Sequence, residues 1–134
     1  MAVVMGGYSD EYKVSLKSGQ LIYDSLDRER YNVYKVVILK DEWYFLDEQD
    51  QKKPINKGDF SVDLGAEGNL KFDACFNIIH GKPGENGELQ AYWDTIGQKY
   101  TGCSFYQSAL TFNKKDTLAV LSKYGIPSAK SIYL

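Results

Sequence analysis

One segment near the middle of the chain constrains the fold more than any other. The apolar run Phe72–Ile79 predicts a buried strand, His80–Gly87 supplies three glycines and one proline, and Glu88–Ile96 has a helical pattern. His80, the only histidine, therefore follows a core strand directly. Ligands bind at that position in open α/β sheets, and glycines let backbone N–H groups approach them. The segment predicts an α/β sheet with a ligand-binding loop.

Length, charge and cysteine use exclude several classes of protein. At 134 residues the chain fits one domain with a real core. A net charge of −2 provides no basic surface for nucleic acid or an anionic membrane, so we expect neither partner. No apolar run approaches the roughly 18 residues of a membrane span, and Ala2–Met5 is too short for a signal-peptide core. Cys75 and Cys103 lack metal-ligand spacing and suggest reduced, cytoplasmic thiols.

The first half of the chain alternates strand and helix patterns. An apolar strand at Ala2–Met5 precedes an amphipathic helix at about Glu11–Leu26, with Ser9 or Asp10 as its N-cap. The next predicted strand is Tyr31–Leu39. Trp43–Leu46 and Pro54–Ile55 flank the polar turn DEQDQKK and predict an inserted hairpin, and a short edge strand is expected at Phe60–Leu64.

The second half continues the alternation after the Phe72–Ile96 unit. We predict a short strand near Tyr100 and helices from about Tyr106 and over Lys115–Tyr124. The pattern predicts a three-layer α/β/α fold with an open, mostly parallel sheet. We assign residues 1–125 to this domain and expect 126–134 to begin the linker or first strand of another, as in a domain cut from a longer protein.

Two loops leave the carboxyl ends of predicted strands, at Gly6–Tyr12 and His80–Asn86. They face each other if the first and third parallel strands adjoin. Glu11 falls in the first turn of its helix, where the helix dipole favours a carboxylate. A carboxylate repels phosphate, so the first loop suits an ammonium group. The sequence Gly6–Ser9 also lacks the third glycine of the dinucleotide-binding motif and the Gly-Lys-Ser/Thr of the P-loop.

Each of these residues also has an ordinary structural explanation. Glu11 could be only a helix N-terminal carboxylate, and His80 only a hydrogen-bonded loop histidine. Glu85 and Asn86 could cap the following helix, and Lys114 could be a solvated charge. No nucleophile–base pair, carboxylate pair or metal cluster is evident in the sequence. The residues alone indicate an α/β domain that binds a small ligand and supplies only part of the binding site.

Three ordered motifs resemble the D-alanine–D-alanine ligase family. HGKPGENGELQA agrees with the family's H-G-x-x-G-E-[D/N]-G-x-[aliphatic]-Q-[small] at every specified position. GGYSDEYKVSLKSG matches its amino-terminal motif, and YTGCSFYQSALTFNKKDT matches a later segment. The match covers most of the chain except about residues 40–70. The resemblance implies a Rossmann-like amino-terminal domain that precedes an ATP-grasp domain.

The resemblance also implies roles for individual residues. Glu11 would hold the ammonium of the first D-alanine, Val14 would line the pocket for its methyl group, and His80 would orient it. Glu11 and His80 are the catalytic candidates. The remaining substrate-binding candidates are Ser15, Gly81 and Gly84. Lys114 matches a family lysine near the ATP site, and Lys13 stands where family members often carry an acidic residue.

In the family, ATP phosphorylates the carboxylate of the first D-alanine, and the amine of the second attacks the acyl phosphate. Mg²⁺, or Mn²⁺, neutralises the phosphates. The metal ligands lie in other domains, so we expect no metal site, no bound ATP and no activity in this fragment. The resemblance further implies a cytoplasmic, bacterial enzyme of peptidoglycan synthesis that is a homodimer.

Two different functions also fit the residues. One is a stand-alone module that binds a small amino-bearing ligand on the same α/β scaffold. The second is the amino-terminal domain of another ATP-grasp ligase, of the D-Ala–D-Lac or D-Ala–D-Ser type. The missing domain would choose the second substrate.

Overall fold

The parallel part of the sheet contains the strands that lead into both predicted loops. In the computed structural model, which describes residues 1–132, β1 (Ala2–Gly6) lies between β2 (Tyr34–Ile38) and β7 (Cys75–Asn77) and is parallel to both. Every residue of β1 is buried, as expected for a central strand covered on both faces. The first and third parallel strands therefore adjoin, which is the condition for the two predicted loops to face each other.

The other part of the sheet is antiparallel. It comprises β3 (Trp43–Leu46), β4 (Lys52–Asn56), β5 (Ser61–Asp63) and β6 (Asn69–Leu70), and the strand order is β6-β5-β4-β3-β2-β1-β7. The α/β class is confirmed, but the expectation of a mostly parallel sheet is wrong for this part. Its connections span only a few residues, too short for the crossover that parallel strands need.

The predicted hairpin and the short strand after it are both present. Residues 47–51 join β3 to β4, so the two lysines that end the predicted turn DEQDQKK belong to β4, and β5 lies within the predicted Phe60–Leu64. That strand is not at the sheet edge, because β6 pairs along its outer side.

Helices cover both faces of the sheet, which confirms the three layers. Because side chains alternate along a strand, β1 sends Val3 and Met5 to one face and Ala2 and Val4 to the other. The helix α1 (Tyr12–Ser25) packs on the Val3 face. Its Gly19 lies so close to the strand that an added Cβ would meet Met5 at 2.7 Å.

The helix α2 (Glu88–Ile96) packs on the opposite face through Leu89 and Trp93. There Phe60 is fully buried and stacks edge-on against Trp93 at 5.8 Å between ring centroids. Aromatic pairs of this kind add about 0.5–1.5 kcal/mol to area burial. The contact between Phe60 and Trp93 thus packs the antiparallel part of the sheet against the helix that follows the His80 loop.

The strand β7 is shorter than the predicted Phe72–Ile79. Beyond Asn77, the Ile79 N–H donates to Asn77 Oδ1 at 3.2 Å instead of joining a ladder, so the strand ends there. The predicted strand near Tyr100 is reduced to a single parallel bridge with Cys75.

Two short helices, α3 (Phe105–Phe112) and α4 (Lys114–Lys123), complete the described chain. They start within one residue of the predicted positions, and Asn113 caps α4 by accepting from the Asp116 N–H at 3.2 Å. Of their side chains only Ser108 is buried. Residues 126–132 have no regular secondary structure, and the rest of the predicted extended segment, 133–134, lies outside the described residues.

Candidate functional site

The two predicted loops are in direct contact. Tyr8 N–H donates to the Lys82 carbonyl at 2.7 Å, and Ser9 Oγ donates to the His80 carbonyl at 2.9 Å. At Gly81, whose φ is +73°, an added Cβ would lie 2.9 Å from Ser9 Oγ. Only glycine fits this close approach. The expectation that the loops face each other across the sheet edge is confirmed.

The Ser9 contact also changes how α1 begins. The N-cap is Glu11 rather than the predicted Ser9 or Asp10, and the cap residue makes no side-chain capping bond. The Ser9 hydroxyl is committed to the second loop instead. A tertiary hydrogen bond has therefore replaced the local one that the sequence pattern favours.

Glu11 presents its carboxylate toward the second loop. Its side chain is exposed, and its Oε2 atom lies 3.9 Å from the position that a Cβ on Gly81 would take. The amino end of α1 favours negative charge there. Val14, one turn further along the helix, is 55% exposed. The junction of the loops thus offers an accessible carboxylate beside a small apolar side chain.

Ser15 occupies a different environment from these two residues. It is fully buried; its Oγ accepts from the Gly6 N–H at 2.9 Å and donates to the Ile78 carbonyl at 2.8 Å. The hydroxyl joins the end of β1 to the segment leaving β7. This supports a positioning role over direct contact with a substrate.

The second loop is closed by a reciprocal pair of hydrogen bonds. Gly81 N–H donates to Glu85 Oε2 at 2.7 Å, and Glu85 N–H donates to the Gly81 carbonyl at 2.8 Å. Glu85 therefore stabilises the loop and does not cap α2 as one interpretation expected. Asn86 contributes only a 3.4 Å contact to the Glu88 N–H, and the cap position is Gly87.

Gly84 is fixed by two residues that sequence reasoning missed. Its carbonyl accepts from Asn77 Nδ2 at 2.8 Å and from Gln90 Nε2 at 2.5 Å. Gln90 could have been found from the sequence, because it is the specified glutamine of the HGKPGENGELQA motif. Nothing in the pattern pointed to Asn77.

A cavity of about 750 Å³ is lined in part by residues of this loop. His80, Gly84 and Lys114 all line it, whereas Glu11 does not. Two polar atoms of lining residues, His80 Nε2 and Gln90 Oε1, are buried and have no hydrogen-bond partner among the described residues. His80 thus contacts the first loop through its carbonyl, which accepts from Ser9, and also lines the cavity that holds Lys114.

The described residues 1–132 contain no group of three or more His, Cys, Asp or Glu side chains placed to hold a metal ion. Lys114 is the lining residue best suited to a phosphate, as an exposed cation at the start of α4.

None of the described helices combines the length and apolar character that a membrane span requires.

Both cysteines are unpaired, as predicted. Cys75 is buried in β7, and Cys103 is exposed in the turn before α3. Burial raises the pKa of the Cys75 thiol to about 12. Cys103 is the thiol that lines the cavity beside His80 and Lys114.

Curated relatives match the whole chain. A D-alanine–D-alanine ligase from Flavobacterium psychrophilum is 58% identical over all 134 residues, which cover 40% of that protein. The corresponding protein of Flavobacterium johnsoniae is 50% identical over 100% of this chain and 41% of its own length. The chain therefore spans about 40% of the length of these relatives.

Solved structures share the fold. A D-alanine–D-alanine ligase from Coxiella burnetii superposes with a TM-score of 0.84 at 26% identity, over 96% of this chain and 42% of that one. A D-Ala:D-Ser ligase from Enterococcus faecalis superposes with a TM-score of 0.78 at 26% identity, over 96% of this chain and 43% of that one.

The family model described as the D-ala D-ala ligase N-terminus matches residues 1–103, more than three quarters of the chain and including both contacting loops. The chain belongs to the D-alanine–D-alanine ligase amino-terminal family.

Proposed function

We propose that this chain is the amino-terminal domain of an ATP-dependent ligase that joins two D-alanines, and that it supplies the site for the first. The observation that carries the proposal is the exposed Glu11 carboxylate at the junction of the two loops. The names of the relatives supply the substrate class.

Each residue of the junction receives one role. Glu11 pairs with the ammonium of the first D-alanine, Val14 contacts its methyl group, and His80 orients it. Gly81 and Gly84 form the wall of the pocket, since their lack of a side chain lets the loop backbone approach closely. Ser15 holds the strand ends in place behind them.

The cavity beyond His80 is proposed to receive the phosphates of ATP. Lys114 lies on its lining and would place a positive charge near them. Because no metal-ligand cluster occurs among residues 1–132, we propose that the carboxylates for Mg²⁺ or Mn²⁺ belong to the rest of the enzyme.

The proposed chemistry has two steps. A carboxylate oxygen of the first D-alanine takes the terminal phosphoryl group of ATP, and ADP leaves. The amine of the second D-alanine then attacks the acyl carbon, so that inorganic phosphate and a proton are released with the dipeptide. The residues of this chain act by holding the first substrate in line, which is a contribution of positioning.

The wider context is also proposed. Such a ligase would serve peptidoglycan synthesis in a bacterial cytoplasm, as a homodimer. D-Serine as second substrate is a specific alternative, because the D-Ala:D-Ser ligase from Enterococcus faecalis shares this fold at a TM-score of 0.78. No observation favours D-lactate as the second substrate, and none favours a stand-alone small-ligand module.

The division of the chain at residue 125 stays a prediction. Two observations support an earlier boundary: the family model ends at residue 103, and neither buried core cluster includes a residue of α3 or α4.

The test is the full-length ligase that carries this chain, assayed with ATP, Mg²⁺ and D-alanine. We expect ADP and phosphate release that depends on D-alanine, with D-alanyl-D-alanine detected by mass spectrometry. Parallel reactions with D-serine or D-lactate added identify the second substrate. Absence of any D-alanine-dependent ADP release would overturn the proposal.

A further inference from the structure

The Gly84 carbonyl is held from two sides by side-chain amides. Gln90 on α2 donates to it at 2.5 Å, and Asn77 at the end of β7 donates at 2.8 Å. A carbonyl oxygen has two lone pairs, so this acceptor is fully used. The loop is thereby tied both to the strand before it and to the helix after it.

The position that lets the Gln90 amide nitrogen reach Gly84 leaves the amide oxygen of the same side chain without a hydrogen-bond partner among residues 1–132. This side chain is only 3% exposed, and its Oε1 atom is buried without a partner among the described residues. An unpaired buried acceptor is unfavourable. An apolar side chain of similar size would avoid it, so what the amide supplies is the bond to Gly84.

The bond at Gly84 reaches the proposed substrate site through the loop. Glu85, the next residue, exchanges two hydrogen bonds with Gly81. The His80 carbonyl in turn accepts from Ser9 in the loop that carries Glu11. Movement of Gly84 would therefore be passed to His80 and Gly81.

We propose that Gln90 is a positioning residue, which fixes Gly84 so that the His80–Gly81 segment stays against the loop of Ser9 and Glu11 at the site for the first D-alanine. The inference rests on the function proposed above. Misplacing a reacting group by about 1 Å can lower the rate about a hundredfold. Loss of the Gln90 hydrogen bond is therefore expected to lower the rate of the reaction.

The chain offers a matched control in Gln98. It too is a glutamine whose Nε2 donates to backbone carbonyls, those of Phe72 and Lys99, both at 3.0 Å. It lies just beyond the carboxyl end of α2, away from the loop. Gln90→Leu and Gln98→Leu are therefore the same substitution at two positions, of which only Gln90 donates a hydrogen bond to Gly84.

Both variants are made in the full-length ligase. We expect Gln90→Leu to lower kcat/KM for D-alanine by about tenfold or more, while Gln98→Leu leaves it unchanged. Amide hydrogen exchange of residues 80–87 should be faster in Gln90→Leu alone. Thermal unfolding of both variants separates this effect from a general loss of stability.

Equal kcat/KM and wild-type loop exchange in both variants would overturn the inference. A wild-type enzyme with no D-alanine-dependent ADP release would overturn the proposed function instead, and loop exchange would still test Gln90. If Gln90→Leu does not fold, Gln90→Asn takes its place with the same expectation, because the shorter amide cannot reach Gly84.

Discussion

Glu11 combines accessibility with a fixed place at the loop junction. In the closed ligase its pair with a substrate ammonium would be shielded from water, and truncating one partner of such a pair costs about 2–5 kcal/mol. Each 1.4 kcal/mol is about tenfold. We therefore expect Glu11→Ala in the full-length enzyme to lower kcat/KM for the first D-alanine by roughly 30-fold or more.

Asp10→Ala is the matched control, since Asp10 is an exposed carboxylate in the same loop. It should change kcat/KM little, and neither substitution should alter the KM for ATP. A Glu11 variant that weakened ATP binding and spared D-alanine would show that the first loop faces the nucleotide.

Ser15 is the residue of the site whose removal should act mainly on stability. Ser15→Ala leaves the buried Gly6 N–H and Ile78 carbonyl without their shared partner. Leaving buried polar groups unsatisfied costs about 1–3 kcal/mol, measurable by urea unfolding. Ser25→Ala removes an exposed hydroxyl bonded to the Leu21 carbonyl and should cost much less. Equal losses would show that the Ser15 bridge is not stabilising.

The sequence could predict which side chains lie near the site, but it could not predict the hydrogen-bond partners of most of them. Glu11 and His80 follow from their places after strands, because parallel strands end at one edge. The partners of Ser9, Ser15 and Gln90 depend on backbone atoms more than sixty residues away or across a loop. Such tertiary bonds leave no local pattern.

The strands and helices were predictable where periodicity was strong. β1, α1 and α2 lie within a residue or two of their predicted bounds. In the antiparallel part the hairpin and β5 were predicted, but β6 and the antiparallel pairing of β2 with β3 were not. These strands carry only two to five residues each, and so short a run does not reveal its direction.

The two cysteines should differ sharply in reactivity because one lies in β7 and the other in an exposed turn. Cys75 is fully buried and its pKa is raised to about 12, so its reactive thiolate is scarce at neutral pH. A thiol reagent at pH 8 should therefore label Cys103 quickly and Cys75 only on unfolding. Titration in denaturant without reductant should count two thiols per chain. Fast labelling of both in the native protein would contradict the buried placement of β7.

The helices α3 and α4 should be dispensable for the stability of the sheet. Although α3 packs against Gly87, Ser108 is the only buried side chain of the two helices. A chain shortened to residues 1–103 should therefore unfold cooperatively in urea, with a free energy within about 1 kcal/mol of the 134-residue chain. A chain shortened to residues 1–87 also loses α2 with the buried Leu89 and Trp93, and should not fold. Failure of the 1–103 chain to fold would place the boundary later.

The 134-residue chain as a whole should fold but not catalyse. It has two buried hydrophobic core clusters, whereas residues 1–132 contain no metal-ligand cluster. We expect no ADP release above background with D-alanine, ATP and Mg²⁺, and no thermal shift with ATP alone. Ligand at 100 times its Kd would stabilise a binder by about 2.7 kcal/mol, and a shift of that size would contradict the expectation.

The central position of β1 has a consequence for synthesis on the ribosome. Ala2 pairs with Tyr34 on one side and with Cys75 on the other. At roughly 5–20 residues per second, translation needs several seconds to pass from the first strand to its second neighbour. During that interval β1, α1 and β2 can associate, but one edge of an apolar strand is uncovered in the nascent chain. Both loops of the candidate site exist together only after residue 87 has been added, so the site is among the last parts of the sheet edge to assemble.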